Sequence, residues 1–261
     1  MQFVRASVLL TVALLIAGPA LAVDENFDML DDAIALPDGV YLPDATIAVV
    51  NADDSAANYQ DRLITAGYTS TLIPVSSDYS VLSQYDMVLL PVSHAVPAHY
   101  YTLDALAGDY HSYVSEGGKL WIGQPNPYQM PDNTAEITWA PYDLTVNTSY
   151  TLDDCPSIIV DPDHCIAQGV SGSDLPMAGD AVREMGPEWH VVAEGPSTGL
   201  PAVFIACYGS GACLVELGHP SPNALCPYTD AGFYNMIFCL VEEDPSPADP
   251  TTWGSIKSAF E

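Results

Sequence analysis

The stretch VSEGGKLWIGQPN, Val114 to Asn126, decides the fold. A helix running to Glu116 stops at Gly117-Gly118, the apolar Leu120 to Ile122 continue as a short strand, and Gly123-Gln124-Pro125-Asn126 turns away from the strand's carboxyl end. Helix, glycine stop, buried strand and turn in that order describe the middle of a parallel sheet. In open α/β sheets, ligands bind in the crevice beyond the strand carboxyl ends. The turn carries no Cys, Ser or His, so it marks a location without supplying a nucleophile.

Outward from this stretch the same rhythm repeats. Thr46 to Asn51 (TIAVVN) is an unbroken apolar run that suits a buried strand. Ser55 to Ala66 has helical spacing at Tyr59, Leu63 and Ile64 and is closed by Gly67. Thr69 to Val75 and Asp86 to Pro91 read as further strands, and Tyr101 to Glu116 carries Leu103, Leu106, Tyr110 and Val114 at helical spacing ahead of the central strand Lys119 to Gly123. Such alternation with right-handed crossovers predicts a flavodoxin-like α/β fold, a parallel sheet with helices on both faces.

Beyond Pro125 the pattern breaks. Residues 125 to 180 are rich in Pro, Asp and Asn and read as an insertion over the sheet edge, with short strands at Glu136 to Trp139, Leu144 to Val146 and Ser157 to Val160. Asn147-Thr148-Ser149 within it matches a glycosylation sequon. Regular structure returns at Ala181 to Met185 and Glu188 to Ala193. Ala202 to Cys207 and Ala212 to Leu217 form a C-terminal β-hairpin, and Asp230 to Val241 is a mostly buried final helix.

The flanks are different in kind. Residues 1 to 22, with Arg5, an apolar Val8 to Ala17 and Ala20-Leu21-Ala22, have the layout of a cleavable leader. A membrane span needs roughly 20 apolar residues, and this run is shorter and interrupted by Gly18-Pro19. The expectation is a secreted, periplasmic or cell-surface protein with no membrane span after leader removal. Residues 23 to 44 form an acidic arm, 45 to 241 the α/β domain, 242 to 252 a Pro-rich acidic linker, and 253 to 261 (WGSIKSAFE) a short end segment that reads as a docking tag or a tail.

Five Lys and Arg stand against 34 Asp and Glu, a formal charge of −29. Such a field repels phosphate backbones and excludes nucleic acid as a partner. All six cysteines (Cys155, Cys165, Cys207, Cys213, Cys226, Cys239) lie in the second half. An even count in an exported chain favours disulfides, with Cys207 facing Cys213 across the hairpin, Cys155 closing on Cys165, and Cys226 tied to Cys239 as one of the open pairings.

Several segments together resemble the class I glutamine-amidotransferase-like superfamily, and within it the trehalose-utilisation (ThuA-like) branch: ATIAVVN, YDMVLLP, YVSEGGKLWIG, VDPDHCIAQGVSGSDLP, EWHVVAE, YGSGACLVELGHPSP and FYNMI, in that order between Ala45 and Val241. The resemblance implies a nucleophilic Cys on the turn after the central strand and a late His followed two residues on by Glu. Gln124 stands on that turn instead, where the ThuA-like branch often has His. His219 matches the late His but is followed by Pro220 and Ser221. The resemblance therefore carries the fold and not the glutaminase activity.

The candidate ligand-binding residues are those expected at strand ends: Asp53 and Asp54, Ser93 and His94, Gln124 and Asn126, and His219. Asp53 and Asp54 equally suit capping the following helix. Among them His219, Asp53 and His94 are the candidates for acid/base catalysis. Asp153, Asp154, Asp161 and Asp163 are the densest oxygen donors and the calcium candidates, since calcium takes six to eight oxygen ligands; no other cofactor is implied. The expected function is a noncatalytic binding or accessory domain for a carbohydrate or other polar small molecule. The alternatives are a hydrolase of a sugar derivative using His219 with Asp53, and a surface interaction module with no small ligand. Trp121 and Trp139 are the aromatic candidates for sugar stacking, Trp121 being better suited to the core.

Overall fold

The computed structural model describes residues 45–93, 95–148, 155–176, 181–218 and 229–241. The expected leader, arm, linker and end segment lie outside them, as do His94, Asp153, Asp154, His219 and Cys226.

The first half alternates strands with helices, two of them preceding the last strand: β1 (Thr46–Asn51), α1 (Ala56–Thr65), β2 (Thr69–Pro74), α2 (Tyr79–Leu82), β3 (Met87–Pro91), α3 (Pro97–Ala105), α4 (Ala107–Ser115) and β4 (Lys119–Gly123). The second half adds β5 (Thr134–Glu136), β6 (Leu144–Asn147), β7 (Ile158–Ile159), β8 (Ala181–Met185), β9 (His190–Glu194), β10 (Pro201–Tyr208), β11 (Gly211–Glu216) and α5 (Asp230–Val241). Among the described residues the main sheet has the order β2-β1-β3-β4-β11-β10-β9-β7, and a second sheet has the order β5-β6-β8. Strands β2, β1, β3, β4 and β11 are mutually parallel, while β10, β9 and β7 add antiparallel at one side. The parallel part is the flavodoxin-like 2-1-3-4-5 order, its fifth strand supplied by β11 after a long excursion.

Because both faces of β1, β3, β4 and β11 are covered, their successive residues are buried alternately on opposite sides, which is why these strands are nearly continuous apolar runs, while the edge strand β2 is mostly exposed. Ile47, Val49, Leu89, Trp121 and Leu214 pack under α1 and α5. Val50, Val88, Leu90, Leu120, Ile122 and Val215 pack with Tyr100, Leu103, Tyr110 and Val114 of α3 and α4.

The expected single helix Tyr101 to Glu116 is two helices. Leu106 leaves helical geometry at φ −104, ψ 7, and its N–H bonds back three residues to Leu103 O at 3.0 Å, a tightening that ends α3. The insertion also differs from expectation. It reaches both faces of the main sheet: Ala135, Trp139, Leu144 and Val146 join the α3/α4 side, while Cys165, Ile166 and Leu175 join the α5 side. The strand expected at Glu136 to Trp139 lies at Thr134–Glu136, and β8 pairs with β6 in the second sheet. His111 Nε2 ties α4 to this insertion through the carbonyls of Thr138 (2.9 Å) and Ala140 (2.8 Å). Trp139 is fully buried, its ring edge-on to Tyr100 at 5.5 Å, and so is core like Trp121. Asn147 of the sequon lies in β6, its side-chain oxygen 3.0 Å from an Arg183 guanidinium nitrogen in the amide orientation that satisfies both.

The cysteine pairing is corrected as well. Cys165 is joined to Cys239 by a disulfide, which rules out both the Cys155–Cys165 and the Cys226–Cys239 pairings; Cys155 is itself disulfide-bonded. Cys207 and Cys213 are not bridged to each other. The β10–β11 hairpin turns at Gly209-Ser210, which pairs Cys207 with Ala212 and Cys213 with Ala206. The two cysteines are thus one register step apart and point to opposite faces. That tight turn abuts the end of α4: a Cβ on Gly209, at φ 61, would strike the Ser115 carbonyl.

Candidate functional site

Strand order brings four chain ends side by side at the carboxyl edge: Asp53 after β1, Ser93 after β3, Gln124 after β4 and Glu216 at the end of β11. Main-chain bonds extend the pairing past the strands and hold this edge rigid. Val92 N–H donates to Gly123 O at 2.9 Å and Gln124 N–H to Glu216 O at 2.8 Å.

Two side-chain clusters stand on it. In the first, Asp53 Oδ1 accepts from the N–H (2.9 Å) and hydroxyl (2.5 Å) of Ser55, and Asp53 Oδ2 accepts from Ser93 Oγ at 3.0 Å. Ser55 itself is the residue preceding α1 and makes no side-chain cap bond; Asp53 therefore orders the start of α1 while also holding Ser93. Asp54 is exposed beside it. In the second cluster the Glu216 carboxylate is fully buried in β11 and accepts from Tyr59 Oη of α1 at 2.9 Å. An isolated buried carboxylate is strongly unfavourable, so this hydrogen bond and the glycine beside it are part of what lets Glu216 stay there. A Cβ on Gly123 would lie 3.1 Å from Tyr59 Oη and 3.3 Å from Glu216 Oε1.

Gln124 sits against this pair. Its φ is 42°, a left-handed conformation that side chains other than glycine seldom adopt, and it is only 5 % exposed. Its Oε1 has no hydrogen-bond partner among the described residues. Asn126 is occupied differently: its Oδ1 accepts from Tyr128 N–H (3.2 Å) and Thr148 Oγ1 (2.8 Å), tying the turn to the second sheet. The structure thus gathers Asp53, Ser93 and Gln124 on one edge and gives Asn126 a turn-forming role.

Glu216 and Tyr59 were not singled out in the sequence. The one signal was a lone carboxylate inside the apolar ACLVELG run; Tyr59 was indistinguishable from a core helix residue. His99 was likewise missed: its Nδ1 is hydrogen-bonded to Ala52 O, fastening α3 to the end of β1. A hollow of about 360 Å³ lined by Tyr79, Asp86, Glu116 and Lys119 lies at the opposite, amino-terminal edge, away from these groups.

Of the calcium candidates, Asp161 has both oxygens engaged, Oδ1 by Asp163 N–H at 3.1 Å and Oδ2 by His190 Nε2 at 2.7 Å. His190 stacks on His164 with centroids 5.6 Å apart. Burial, with His190 alongside, lowers the His164 pKa from an ordinary 6.5 to about 4. Among the described residues, His164, Cys165 and Cys239 bring potential metal donor atoms within 4.8 Å of one another, the two sulfurs being joined as a disulfide. No described helix is long and apolar enough to cross a membrane.

No family model matches the sequence, and no curated protein is similar to it. Solved structures are similar in fold. A protein from Thermoplasma acidophilum described as one subunit of a GMP synthase is 12% identical, covering 84% of this chain and 99% of that one with a TM-score of 0.53. The cytoplasmic proteins STM3548 and STM1381 of Salmonella typhimurium are 14% and 13% identical, each over 75% of this chain and 98% and 97% of theirs, with TM-scores of 0.51 and 0.50. The class so defined is an α/β flavodoxin-like domain. At these identities the likeness concerns architecture.

Proposed function

We propose that this chain is an exported, noncatalytic amidotransferase-like domain that binds a carbohydrate or another hydroxyl-rich polar molecule at the carboxyl edge of its sheet. Gln124 carries the reading. A strained backbone, a buried side chain and a carboxamide oxygen without a partner are each costly for folding alone, and such costs concentrate at functional positions. A carboxamide both donates and accepts, as a sugar hydroxyl requires; Ser93 stands at the neighbouring strand end, and Asp53 and Ser55 one strand further on. The resemblance to the trehalose-utilisation branch supports a sugar as the ligand class. The leader-like residues 1 to 22 and the Cys165–Cys239 disulfide support export. Gln124 offers no nucleophile, so amidotransfer through a covalent intermediate has no support here. The hydrolytic alternative, with His219 and Asp53, draws on the Asp53–Ser93 bond of 3.0 Å.

The test is thermal melting of the leader-free protein against sugars, sugar acids and calcium, with Gln124→Gly alongside. A ligand at 100 times its Kd contributes about 2.7 kcal/mol, a rise of about 5 to 10 °C for a domain of this size. The expected result is such a rise in the wild type and none in Gln124→Gly. An unchanged melting temperature across the panel would overturn the reading in favour of a surface interaction module. Turnover of the stabilising ligand, abolished by Asp53→Asn, would replace it with the hydrolase.

A further inference from the structure

Away from the sheet edge, the short 3-10 turn Cys165–Ala167 packs against α5 and brings three soft or borderline donors together. Cys165 and Cys239 have Cα atoms 5.5 Å apart. His164 precedes the turn, and its Nδ1 accepts the Ile166 N–H at 3.3 Å. That bond requires a lone pair on Nδ1, so the proton of the neutral ring is on Nε2 and Nδ1 is in the form that ligates metals. The same Nδ1 lies 3.6 Å from Cys165 Sγ and 4.0 Å from Cys239 Sγ.

These separations are those of a shared ion. With Zn–S near 2.3 Å and Zn–N near 2.0 to 2.1 Å in tetrahedral geometry, nitrogen and sulfur ligands stand about 3.6 Å apart and two sulfurs about 3.8 Å apart. The nitrogen is close to its ligating position and has only to exchange the Ile166 N–H for the ion, while the two sulfurs have to separate. We propose that His164 Nδ1 and the sulfurs of Cys165 and Cys239 form a binding site for a thiophilic divalent cation of the zinc class, closed while the cysteines are joined and opened when they are reduced. His190, hydrogen-bonded to Asp161, stacks on the ring of His164 and packs against the ligating imidazole. The net charge of −29 draws cations to the molecule.

The chemistry balances with a phosphine or thiol reductant. Two electrons from the reductant break the S–S bond and two protons give two thiols. The ion then displaces both thiol protons, which pass to solvent, leaving two thiolates and the imidazole on the metal. A small-molecule disulfide oxidant reverses this by thiol–disulfide exchange: it accepts the two electrons and is reduced to two thiols as the Cys165–Cys239 bond re-forms and the ion is released.

The full chain, reduced anaerobically with a phosphine, is titrated with Co2+ and then Zn2+, beside the oxidised protein and the variants Cys165→Ser and His164→Gln. The other cysteines remain in both variants and so serve as the control for binding elsewhere. Expected are one equivalent of Co2+ with thiolate charge-transfer absorption in the reduced protein, none in the oxidised protein, none in Cys165→Ser, and affinity at least tenfold weaker in His164→Gln. Zn2+ should raise the melting temperature of the reduced protein alone. The proposal falls if the reduced protein gives no charge-transfer band, or if His164→Gln binds as tightly as the wild type. It falls equally if the reduced chain loses its circular-dichroism signature and Zn2+ does not restore it.

Discussion

Gln124 and His164 are two residues whose surroundings oppose their chemistry. A left-handed backbone costs a non-glycine residue about 1 to 2 kcal/mol, which glycine avoids at an entropic cost of about 0.5 to 1 kcal/mol; unliganded Gln124→Gly should therefore melt at or slightly above the wild type even as it loses ligand. For His164, burial lowers the pKa to about 4 from 6.5. Between these values the unfolded chain takes up a proton that the native state refuses, so stability falls as pH drops from 6.5 towards 4 and the contribution is fully present only above 6.5. The disulfide-bonded, metal-free wild type should lose up to about 3 kcal/mol more over this window than His164→Gln. Urea unfolding at pH 7, 5.5 and 4 measures the difference, and parallel curves for the two proteins would show that His164 does not titrate this way.

At the scale of elements, β4 owes its position to residues on its neighbours. Its last residue, Gly123, is pressed by Tyr59 of α1 and Glu216 of β11, so Gly123→Ala has to push apart a buried hydrogen-bonded pair. Overpacking of this kind costs about 1 to 3 kcal/mol, and urea unfolding should place Gly123→Ala in that range; a neutral effect would mean the Tyr59–Glu216 contact is loose. Hairpin geometry acts with the same economy. One turn, Gly209-Ser210, determines which face each hairpin cysteine occupies and so prevents their pairing, and the disulfide between Cys165 and Cys239 instead fastens the insertion to α5.

For the molecule as a whole, the charge of −29 is the dominant electrostatic fact. Self-repulsion of this size weakens the compact state, and raising ionic strength from 0.01 M to 1 M shortens the screening length from about 30 Å to about 3 Å. The melting temperature should therefore climb across that range of NaCl. A flat or falling profile would show that the acidic groups are spaced so that repulsion does not limit stability.

Apolar patterning by itself determined the parallel sheet. TIAVVN, DMVLLP and KLWIG are buried on both faces, and short local periods of this kind depend on neighbours a few residues away, so β1, β4, β8 and α5 were legible to the residue and the glycine stop before β4 was unambiguous. The crevice positions Asp53, Ser93 and Gln124 followed from the same rule, because they are the residues that leave strand ends. What only the tertiary structure decided were the relations between distant segments. The antiparallel extension, the placing of the insertion on both faces, the Tyr59–Glu216 pair separated by 157 residues and the meeting of His164 and Cys165 with Cys239 all arise from packing. A carboxylate in a strand or a histidine before a turn has no local signature of its partner; desolvation and geometry select that partner only once the sheet has closed around it.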